Sequence, residues 1–532
     1  MKTSKISVFD VTLRDGAQAL GVSLSVEDKI KILLALDKFG IDYVEGGWPG
    51  SNPKDSEFFV RARTVKLTHA KVVAFCSTRH KDNKPENDPN LIATVNAKTA
   101  VASIFGKSWA LHVTHALKTT LENNLCMVRD SIGFLKSKGM DVIFDAEHFF
   151  DGFINNREYA VEVLKTAASA GAVNLTLCDT NGGMLPGQIQ DIMRYVRMQV
   201  RCVPLGIHAH NDSGCGIANS VTAVMEGATL VQGTINGYGE RCGNADLCAI
   251  LPNLQIKLGY NCVSPEKIMN LTELSRYVSE IANMVPNDYQ PYVGTAAFAH
   301  KGGIHASAVS RHTGTYEHIK PEDVGNTRKI LISEYSGKSN VLQKMTDLKL
   351  SNGKDDDTAK KVLNTVKNLE KQGYQFEAAE ESFELLLRKT LKQYVPLFDL
   401  EGMRVIIEKE EKGGWRSEAT VKVKVNGQTE HTAADGDGPV NALDTALRKA
   451  LAKFYKELAD MSLSDFKVRV IDAKAGTAAK VRVLIESRDR KDTWTTIGVS
   501  ENIIEASLIA LVDAIEYKLL KKRGEFGNVR KK

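Results

Sequence analysis

No stretch of this 532-residue sequence approaches the roughly 18 consecutive apolar residues that a membrane-spanning helix needs. A CxxC pair is also missing, although eight cysteines are present, several of them inside apolar runs where cysteine behaves as a small hydrophobic residue. The first residues, MKTSKISVFDV, show no signal-peptide pattern. We therefore expect a soluble protein of the reducing cytoplasm with no membrane partner.

The sequence also has little net charge, +5 at pH 7, which gives no support to a nucleic-acid partner. The basic C-terminal stretch KKRGEFGNVRKK could be a nucleic-acid arm, but it is short and lacks interleaved aromatic residues, so we interpret it as a solvated tail. With 43% hydrophobic and 25% charged residues, the composition is typical of globular proteins and excludes disordered and collagen-like classes. The length predicts two to four domains.

A phosphate-binding loop is absent as well. FGKSW and SGKSN lack the upstream glycine of GxxxxGK[ST], and GYGERCG does not match GxGxxG. This disfavours a doubly wound open sheet, the main alternative for a chain whose short β-branched runs alternate with helical patterns. Eight such runs predict an α/β fold, a (β/α)8 TIM barrel. The runs are ISVFDV (6–11), YVEGG (43–47), KVVAFCS (71–77), TAVASIF (99–105), DVIFDAE (141–147), VNLTLCD (173–179), PLGIHAH (204–210) and TLVQGTI (229–235).

The pattern along the chain changes twice, which predicts three domains: residues 1–262, 263–395 and 396–532. The first holds the barrel, whose clearest helix is expected over 25–40, between a capping Ser25 and a terminating Gly40. The second is polar and helical and is expected to form a linker region. The third combines alternating strands (ATVKVKV, FKVRV, KVRVLIE) with two helical patterns, GDGPVNALDTALRKAL and GVSENIIEASLIALVDAIEYKL. It predicts an α+β domain with a weak internal repeat.

Two histidines stand at the end of the seventh predicted strand, in GIHAHNDSGCGIANS (206–220). His208 and His210 are two positions apart on a strand, so their side chains leave from the same face. At the C-terminal end of a barrel strand they lie where barrel enzymes place their chemistry. They could be core histidines or a pH-sensitive surface, but this placement favours ligands of a metal ion.

Other polar side chains are expected at the same end of the barrel. They are Arg14, Asp15 and Gln18 after the first strand, Glu45, Glu147, Asp179 and Thr180 at later strand ends, and Glu240 and Asn244 in the loop after the eighth. Imidazoles with carboxylate and amide oxygens suit a divalent ion such as Zn²⁺ or Mn²⁺. Structural alternatives stay open: Thr180 and Asn244 could begin helices, and Arg14 could simply pair with Asp15 or Glu45.

Three motifs together resemble the DRE-TIM metallolyase superfamily: TLRDGAQ (12–18), HAHND (208–212) and NGYGERCGNADL (236–247). That superfamily includes 2-isopropylmalate, homocitrate and citramalate synthases. The chain beyond 395 resembles the regulatory domain of the isopropylmalate and citramalate synthases. VEGGWPGSNPKD and AFAHKGGIHASAV are most similar to the citramalate synthase branch.

The resemblance implies a metal-dependent Claisen condensation of acetyl-CoA, the co-substrate, with pyruvate as the 2-oxo acid, followed by thioester hydrolysis. It implies that the divalent cation, Mn²⁺, Zn²⁺ or Mg²⁺, is held by Asp15, His208, His210 and Asn244. Arg14 would stabilise charge that develops on oxygen. Gln18 and Thr180, with Arg14, would bind the 2-oxo acid, and Glu147 would lie at the acetyl-CoA end of the site.

His305 in GGIHAS and Tyr316 in TGTYEH resemble positions that have been proposed to transfer protons in the family. In the family this segment comes from the partner subunit, which implies a homodimer. A linker histidine at the interface is the alternative for His305, and the base that deprotonates the acetyl methyl group stays open. The resemblance also implies feedback by isoleucine or leucine, bound where the last two helices begin, near Gly438 and Ser500. A purely dimerising domain is the alternative.

Other activities stay possible on the sequence alone. A 2-isopropylmalate synthase would use 2-oxoisovalerate, and Trp48 in GGWPG could narrow the pocket against this larger acid or serve only barrel packing. A homocitrate synthase needs a site for a second carboxylate, for which Arg79 and His80 are available. A lyase of the superfamily is not expected to carry the long segment after 395. A non-catalytic amino-acid-binding protein would release no CoA.

Overall fold

The computed structural model describes residues 4–522 except 334–335, 351–355, 410–413, 472–475, 477 and 491. The expected solvated tail from residue 523 onward lies outside these residues. Two compact units divide the chain: one holds the described residues up to Phe298 together with Ile319–Arg328, and the other holds Ala299–His318 and the chain from Lys329 onward. The division into three functional domains at 262 and 395 stays a prediction. Within the described part of the chain, no helix has both the length and the apolar character needed to cross a membrane.

Eight parallel strands close into a barrel in the first unit, in the order of the chain, with the first strand paired to the eighth. They are β1 (Ser7–Asp10), β2 (Tyr43–Gly47), β3 (Lys71–Ser77), β4 (Val101–Lys107), β5 (Asp141–Glu147), β6 (Asn174–Asp179), β7 (Leu205–Ala209) and β8 (Leu230–Gly233). The predicted (β/α)8 TIM barrel is thus confirmed, and all eight predicted strands are present.

Helices cover the outside of the barrel. They are α1 (Val26–Phe39), α2 (Pro53–Ala62), α3 (Pro89–Asn96), α4 (Ala110–His115), α5 (Leu121–Ser137), α6 (Phe149–Asn155), α7 (Arg157–Ser169), α8 (Pro186–Gln199), α9 (Gly216–Met225), α10 (Leu247–Pro252), α11 (Pro265–Ile268) and α12 (Leu271–Ile281). The start of α1 is a capping box: the Ser25 hydroxyl accepts from the Asp28 N–H, and the Asp28 carboxylate accepts from the Ser25 N–H. Gly40 ends α1 at φ 97°, a conformation that favours glycine.

The inside of the barrel changes character along its axis. An apolar cluster, mostly from the first halves of the strands, fills part of the interior: Phe9, Val11, Val73, Val101, Ile143 and Leu230. Two residues further along several strands, the inward positions carry Ser103, Asp145 and Gln232, all of which are buried. Because side chains alternate between the two faces of a strand, these polar residues continue the same inward rows. The barrel therefore becomes polar toward the C-terminal ends of its strands.

The second unit begins with the short parallel pair β9 (Ala299–His300) and β10 (Lys329–Ile330) and continues with helices α13 (Gly303–Arg311), α14 (Lys338–Asp347), α15 (Asp356–Lys371) and α16 (Glu380–Thr390). Two repeats of three antiparallel strands and a helix follow. They are β11 (Asp399–Lys409), β12 (Trp415–Val425), β13 (Gln428–Gly436) and α17 (Pro439–Leu451), then β14 (Ser462–Val470), β15 (Val481–Arg488), β16 (Thr493–Ser500) and α18 (Ile503–Lys522). The predicted helical linker region, α+β domain and internal repeat are confirmed.

The repeat contains three strands that the sequence patterns did not predict: β11, β13 and β16. Strands β11 and β13 are largely exposed and mix charged with apolar residues, so they lack the alternation that marks β12. The last helix, predicted to begin near Ser500, begins at Ile503, because Gly498–Ser500 form the end of β16. Both repeats bury apolar side chains of their helices, among them Leu443, Leu447 and Leu511.

We expect Trp494→Ala to lower the free energy of unfolding of the C-terminal unit by about 3–5 kcal/mol, because it leaves a large cavity. Trp494 is only 2% exposed, and its indole N–H donates to the Ala514 carbonyl at 3.1 Å. Trp415→Ala is the matched control: Trp415 is 71% exposed, and the expected change is within about 0.5 kcal/mol. Urea unfolding followed by circular dichroism measures both, and equal losses would contradict this packing.

Candidate active site and metal centre

Asp15, His208 and His210 meet at the C-terminal ends of β1 and β7, although almost two hundred residues separate them in the chain. The two imidazole Nε2 atoms are 3.3 Å apart. The Asp15 Oδ2 atom is 3.8 Å from Nε2 of His208 and 3.9 Å from Nε2 of His210. All three residues are buried. We refer to this group as the triad; three donor atoms this close can bind one cation at ligand distances of about 2 Å.

The protonation of the triad matches what a cation requires. Burial alone would raise the pKa of Asp15, but Arg14 and the two histidines lower it to about 2. Burial lowers the pKa of His208 to about 4, helped by His210, and burial also lowers the pKa of His210. The carboxylate is therefore anionic and both imidazoles are neutral near pH 7, which is the state in which these groups bind metals.

Asn244 completes the surroundings of the triad. Its Nδ2 donates to the Asp15 Oδ1 at 2.9 Å and to the Tyr238 carbonyl at 3.1 Å, whereas its Oδ1 is buried and has no hydrogen-bond partner in the described structure. A buried amide oxygen without a partner is costly unless a ligand satisfies it. Glycine at position 239 leaves room for the Asn244 side chain, since a Cβ there would lie 2.2 Å from the Asn244 Nδ2. The donor set thus fits a divalent cation.

Arg14 connects the triad to Glu45. Its Nη1 donates to the Asp15 Oδ2 at 2.9 Å, its Nε donates to the Glu45 Oε2 at 2.5 Å, and its guanidinium carbon lies 3.8 Å from the centre of the Phe75 ring. Burial raises the pKa of Glu45 to about 7, although Arg14 opposes this rise. Arg14 thus forms both of the ion pairs, with Asp15 and with Glu45, that the sequence analysis left open as structural alternatives. This pairing fixes the guanidinium beside the triad.

Glu147 and Thr180 follow neighbouring strands at the same end of the barrel. Glu147 ends β5 and forms an ion pair with Lys107, a partner that the sequence patterns did not reveal. The Thr180 hydroxyl accepts from the His148 N–H at 2.9 Å. The alternative that Thr180 and Asn244 begin helices is wrong, because α8 begins after Leu185 and α10 begins after Asp246.

The remaining predicted site residues, Gln18, His305 and Tyr316, are all exposed. Gln18 is exposed, in a short helical turn after β1. His305 and Tyr316 belong to the second unit, where their rings stack with centroids 4.1 Å apart. Both rings are accessible, since Tyr316 is 47% exposed and His305 is also exposed. Their neighbour His300 is instead paired with Glu317 at 3.2 Å.

Three aromatic rings form a wall next to Arg14. The Trp48 ring meets Phe75 and Phe105 edge-on at centroid distances of 5.6 and 5.5 Å, and the two phenylalanine rings stack at 5.2 Å. The Trp48 indole N–H donates to the Asn90 side chain, which fixes the ring. Trp48 and Phe105 also line a cavity of about 670 Å³, whose lining includes Lys81 and Lys107. This aromatic wall was only partly predicted, through Trp48.

Three family profiles match consecutive parts of the chain. The HMGL-like family matches residues 5–278, the homocitrate synthase post-HMGL domain-like family matches 292–374, and the LeuA allosteric (dimerisation) domain matches 377–519. The first match covers the barrel and its triad. The fold and the site therefore define a barrel of the HMGL-like class that carries a LeuA-type C-terminal domain.

Full-length relatives narrow this class. An (R)-citramalate synthase from Synechocystis sp. is 53% identical over 98% of this chain and 97% of its own length. Another from Geobacter sulfurreducens is 51% identical over 97% of this chain and 98% of its own length. A 2-isopropylmalate synthase from Methanocaldococcus jannaschii is 31% identical over 98% of this chain and 95% of its own length. The chain belongs to the (R)-citramalate synthase family.

We expect Asp15→Asn and His210→Ala to weaken Zn²⁺ binding by at least about 100-fold, because each removes one donor atom of the triad, a larger loss than outer-shell changes cause. Competition against a chelator of known affinity measures the dissociation constant. Asp212→Asn is the matched control, since this carboxylate lies two residues from His210 but pairs with Arg241 instead. Unchanged affinity in either triad variant would contradict the assignment.

Proposed function

We propose that this protein is an (R)-citramalate synthase, which condenses acetyl-CoA with pyruvate and hydrolyses the resulting thioester to citramalate and CoA. The observation that carries this proposal is the buried triad with Arg14 beside it, in a chain that (R)-citramalate synthases match from end to end. We further propose that the reaction serves isoleucine biosynthesis in the cytoplasm, as the resemblance to the citramalate synthase branch implies.

Asp15, His208 and His210 would hold the divalent cation, Mn²⁺, Zn²⁺ or Mg²⁺, and the unpaired Oδ1 of Asn244 makes this residue the fourth candidate ligand. When bound, the cation supplies Lewis acidity toward the carbonyl group of the 2-oxo acid. Mixed nitrogen and oxygen donors are compatible with all three ions, so the donor set alone does not choose among them.

Arg14 has the position and chemistry to stabilise the negative charge that develops on the carbonyl oxygen during condensation. A guanidinium cannot lose its proton near neutral pH and presents several N–H donors in a fixed fork. Glu45 and the Phe75 ring hold it in place, so little reorganisation is needed when the charge appears. Its burial strengthens the interaction, because little water screens it.

Thr180 and Gln18 would bind the carboxylate of the 2-oxo acid with their polar side chains. Glu147, held by Lys107, would lie toward the acetyl group. The cavity beside the aromatic wall has room for the extended arm of acetyl-CoA, and its lysines suit an anionic cofactor. A base must take one proton from the acetyl methyl group before the new carbon–carbon bond forms. His305 and Tyr316 are the candidates for this transfer.

The LeuA-type domain supports two further parts of the proposal: a homodimer and feedback by a small amino acid. In the proposed dimer, the partner subunit supplies His305 and Tyr316 to the barrel. Isoleucine or leucine is the proposed effector, and the starts of α17 and α18 offer backbone N–H groups for its carboxylate. Isoleucine is favoured because it would be the end product of the proposed pathway.

A panel of 2-oxo acids tests the activity directly. We expect the kcat/KM for pyruvate to exceed that for 2-oxoisovalerate by at least about tenfold, since each methyl group that does not fit costs about 1–3 kcal/mol. Release of CoA thiol from acetyl-CoA is the readout, and a chelator should abolish it. Preference for 2-oxoisovalerate would instead indicate a 2-isopropylmalate synthase, and repeating the panel with isoleucine and with leucine identifies the effector.

The aromatic wall should set part of this preference. We expect Trp48→Leu to raise the ratio of kcat/KM for 2-oxoisovalerate to that for pyruvate by about tenfold, because a smaller side chain enlarges the site by the volume of several methyl groups. The ratio does not depend on the folded fraction of the variant, so a loss of stability cannot imitate the effect. Trp415→Leu, at an exposed position, is the control. An unchanged ratio would assign Trp48 to barrel packing.

A further inference from the structure

We propose that Gln232 is a positioning residue that fixes which ring nitrogen of His208 carries the proton, through a chain of hydrogen bonds across the barrel interior in which Asp145 is the final acceptor. We call the residues Ser103, Asp145, Gln232 and His208 the relay. The inference rests on the proposed function only in assuming that His208 binds a cation through Nε2. The relay itself is a feature of the protein without metal.

The relay is continuous and buried. The Ser103 hydroxyl donates to the Asp145 Oδ2 at 2.6 Å, and the Gln232 Nε2 donates to the Asp145 Oδ1 at 2.8 Å. The Gln232 Oε1 lies 2.9 Å from the His208 Nδ1. Ser103 and Gln232 have no exposed surface, Asp145 is 4% exposed and His208 is 6% exposed. Four different strands, β4, β5, β8 and β7, contribute these residues.

The chemistry of its members gives the relay a direction. The Asp145 carboxylate accepts hydrogen bonds at both oxygens, so the Gln232 amide must turn its nitrogen toward Asp145. Thr176 supports the same orientation: its hydroxyl donates to the Asn174 Oδ1 at 3.0 Å, so toward the Gln232 Nε2, 3.5 Å away, it can only accept. The Gln232 oxygen therefore faces His208. An amide oxygen only accepts, which places the proton on the His208 Nδ1.

This arrangement leaves the lone pair of the His208 Nε2 directed at Asp15 and His210, where the triad would hold its cation. The second histidine has no such support: the His210 Nδ1 is buried without a hydrogen-bond partner in the described part of the chain. Outer partners of metal-binding histidines commonly set the ring orientation and raise the basicity of the ligand. The relay supplies such an outer partner for His208 and not for His210. Its other end, at Ser103, lies on β4.

The first test reads the proton directly in the metal-free protein. Long-range ¹H–¹⁵N spectra of full-length protein labelled in its histidine rings distinguish a protonated from an unprotonated ring nitrogen, and His208→Ala identifies the His208 signals. We expect His208 to carry its proton on Nδ1 at pH 7.5, and Gln232→Met to give a mixture of both tautomers. A proton on Nε2 in the unmodified protein would overturn the inference.

The second test separates hydrogen bonding from packing by means of the Zn²⁺ dissociation constant. Gln232→Met keeps the size of the side chain but has no acceptor for His208, and we expect affinity to fall by about 10–100-fold. Gln232→Glu keeps an oxygen that accepts from His208, and its other oxygen can share one proton with the facing Asp145 carboxylate. We therefore expect its Zn²⁺ affinity to fall by no more than about threefold. A similar loss in both variants, or none in Gln232→Met, would contradict the relay.

Gln255→Met is the control for the loss of a hydrogen-bonded glutamine elsewhere in the same unit, because the half-buried Gln255 accepts at its Oε1 from the Cys262 and Val263 N–H groups. It should leave Zn²⁺ affinity unchanged even if it lowers the melting temperature. The outcomes also separate this inference from the proposed function. A protein that shows the predicted tautomer and binds Zn²⁺ but releases no CoA would contradict the function and leave the relay intact.

Discussion

The C-terminal end of the barrel depends on one interaction: the guanidinium of Arg14 is held between two buried carboxylates. Arg14 lies between the carboxylates of Asp15 and Glu45; both carboxylates are buried, and the Arg14 side chain is 14% exposed. Removal of Arg14 would leave the carboxylates of Asp15 and Glu45 without their counter-charge in a place of low dielectric, which is among the most destabilising changes a protein can undergo. The arrangement therefore holds the triad in one geometry before any ligand arrives.

Burial has a second consequence for the chemistry. Because water is excluded, the two histidines stay neutral, whereas Arg14 keeps Asp15 charged against the effect of burial, so protons compete little with a cation for the triad. The same exclusion strengthens the interaction of Arg14 with charge that develops on a substrate. The two layers of the barrel interior thus have different roles. The apolar layer packs the interior, and the polar layer toward the C-terminal strand ends holds the buried polar and charged groups.

Much of the fold could be predicted from the sequence, because each barrel strand is a short β-branched run bounded by helical patterns. His208 and His210 were predictable as a pair, since their spacing places them on one face of a strand. Gln232 and Asp145 were not, because a single inward polar residue in a buried strand looks like any other interruption of an apolar run. Strands β11 and β13 escaped prediction for a different reason: exposed strands with mixed charges have no periodic apolar face.

One measurement tests the central claim most directly: anomalous scattering from crystals of the protein grown with Zn²⁺, recorded on both sides of the zinc absorption edge. The account predicts a single strong peak at the barrel mouth, about 2.0–2.2 Å from the Nε2 atoms of His208 and His210 and from a carboxylate oxygen of Asp15. A peak elsewhere, or a zinc ion that contacts only one of these three side chains, would contradict it.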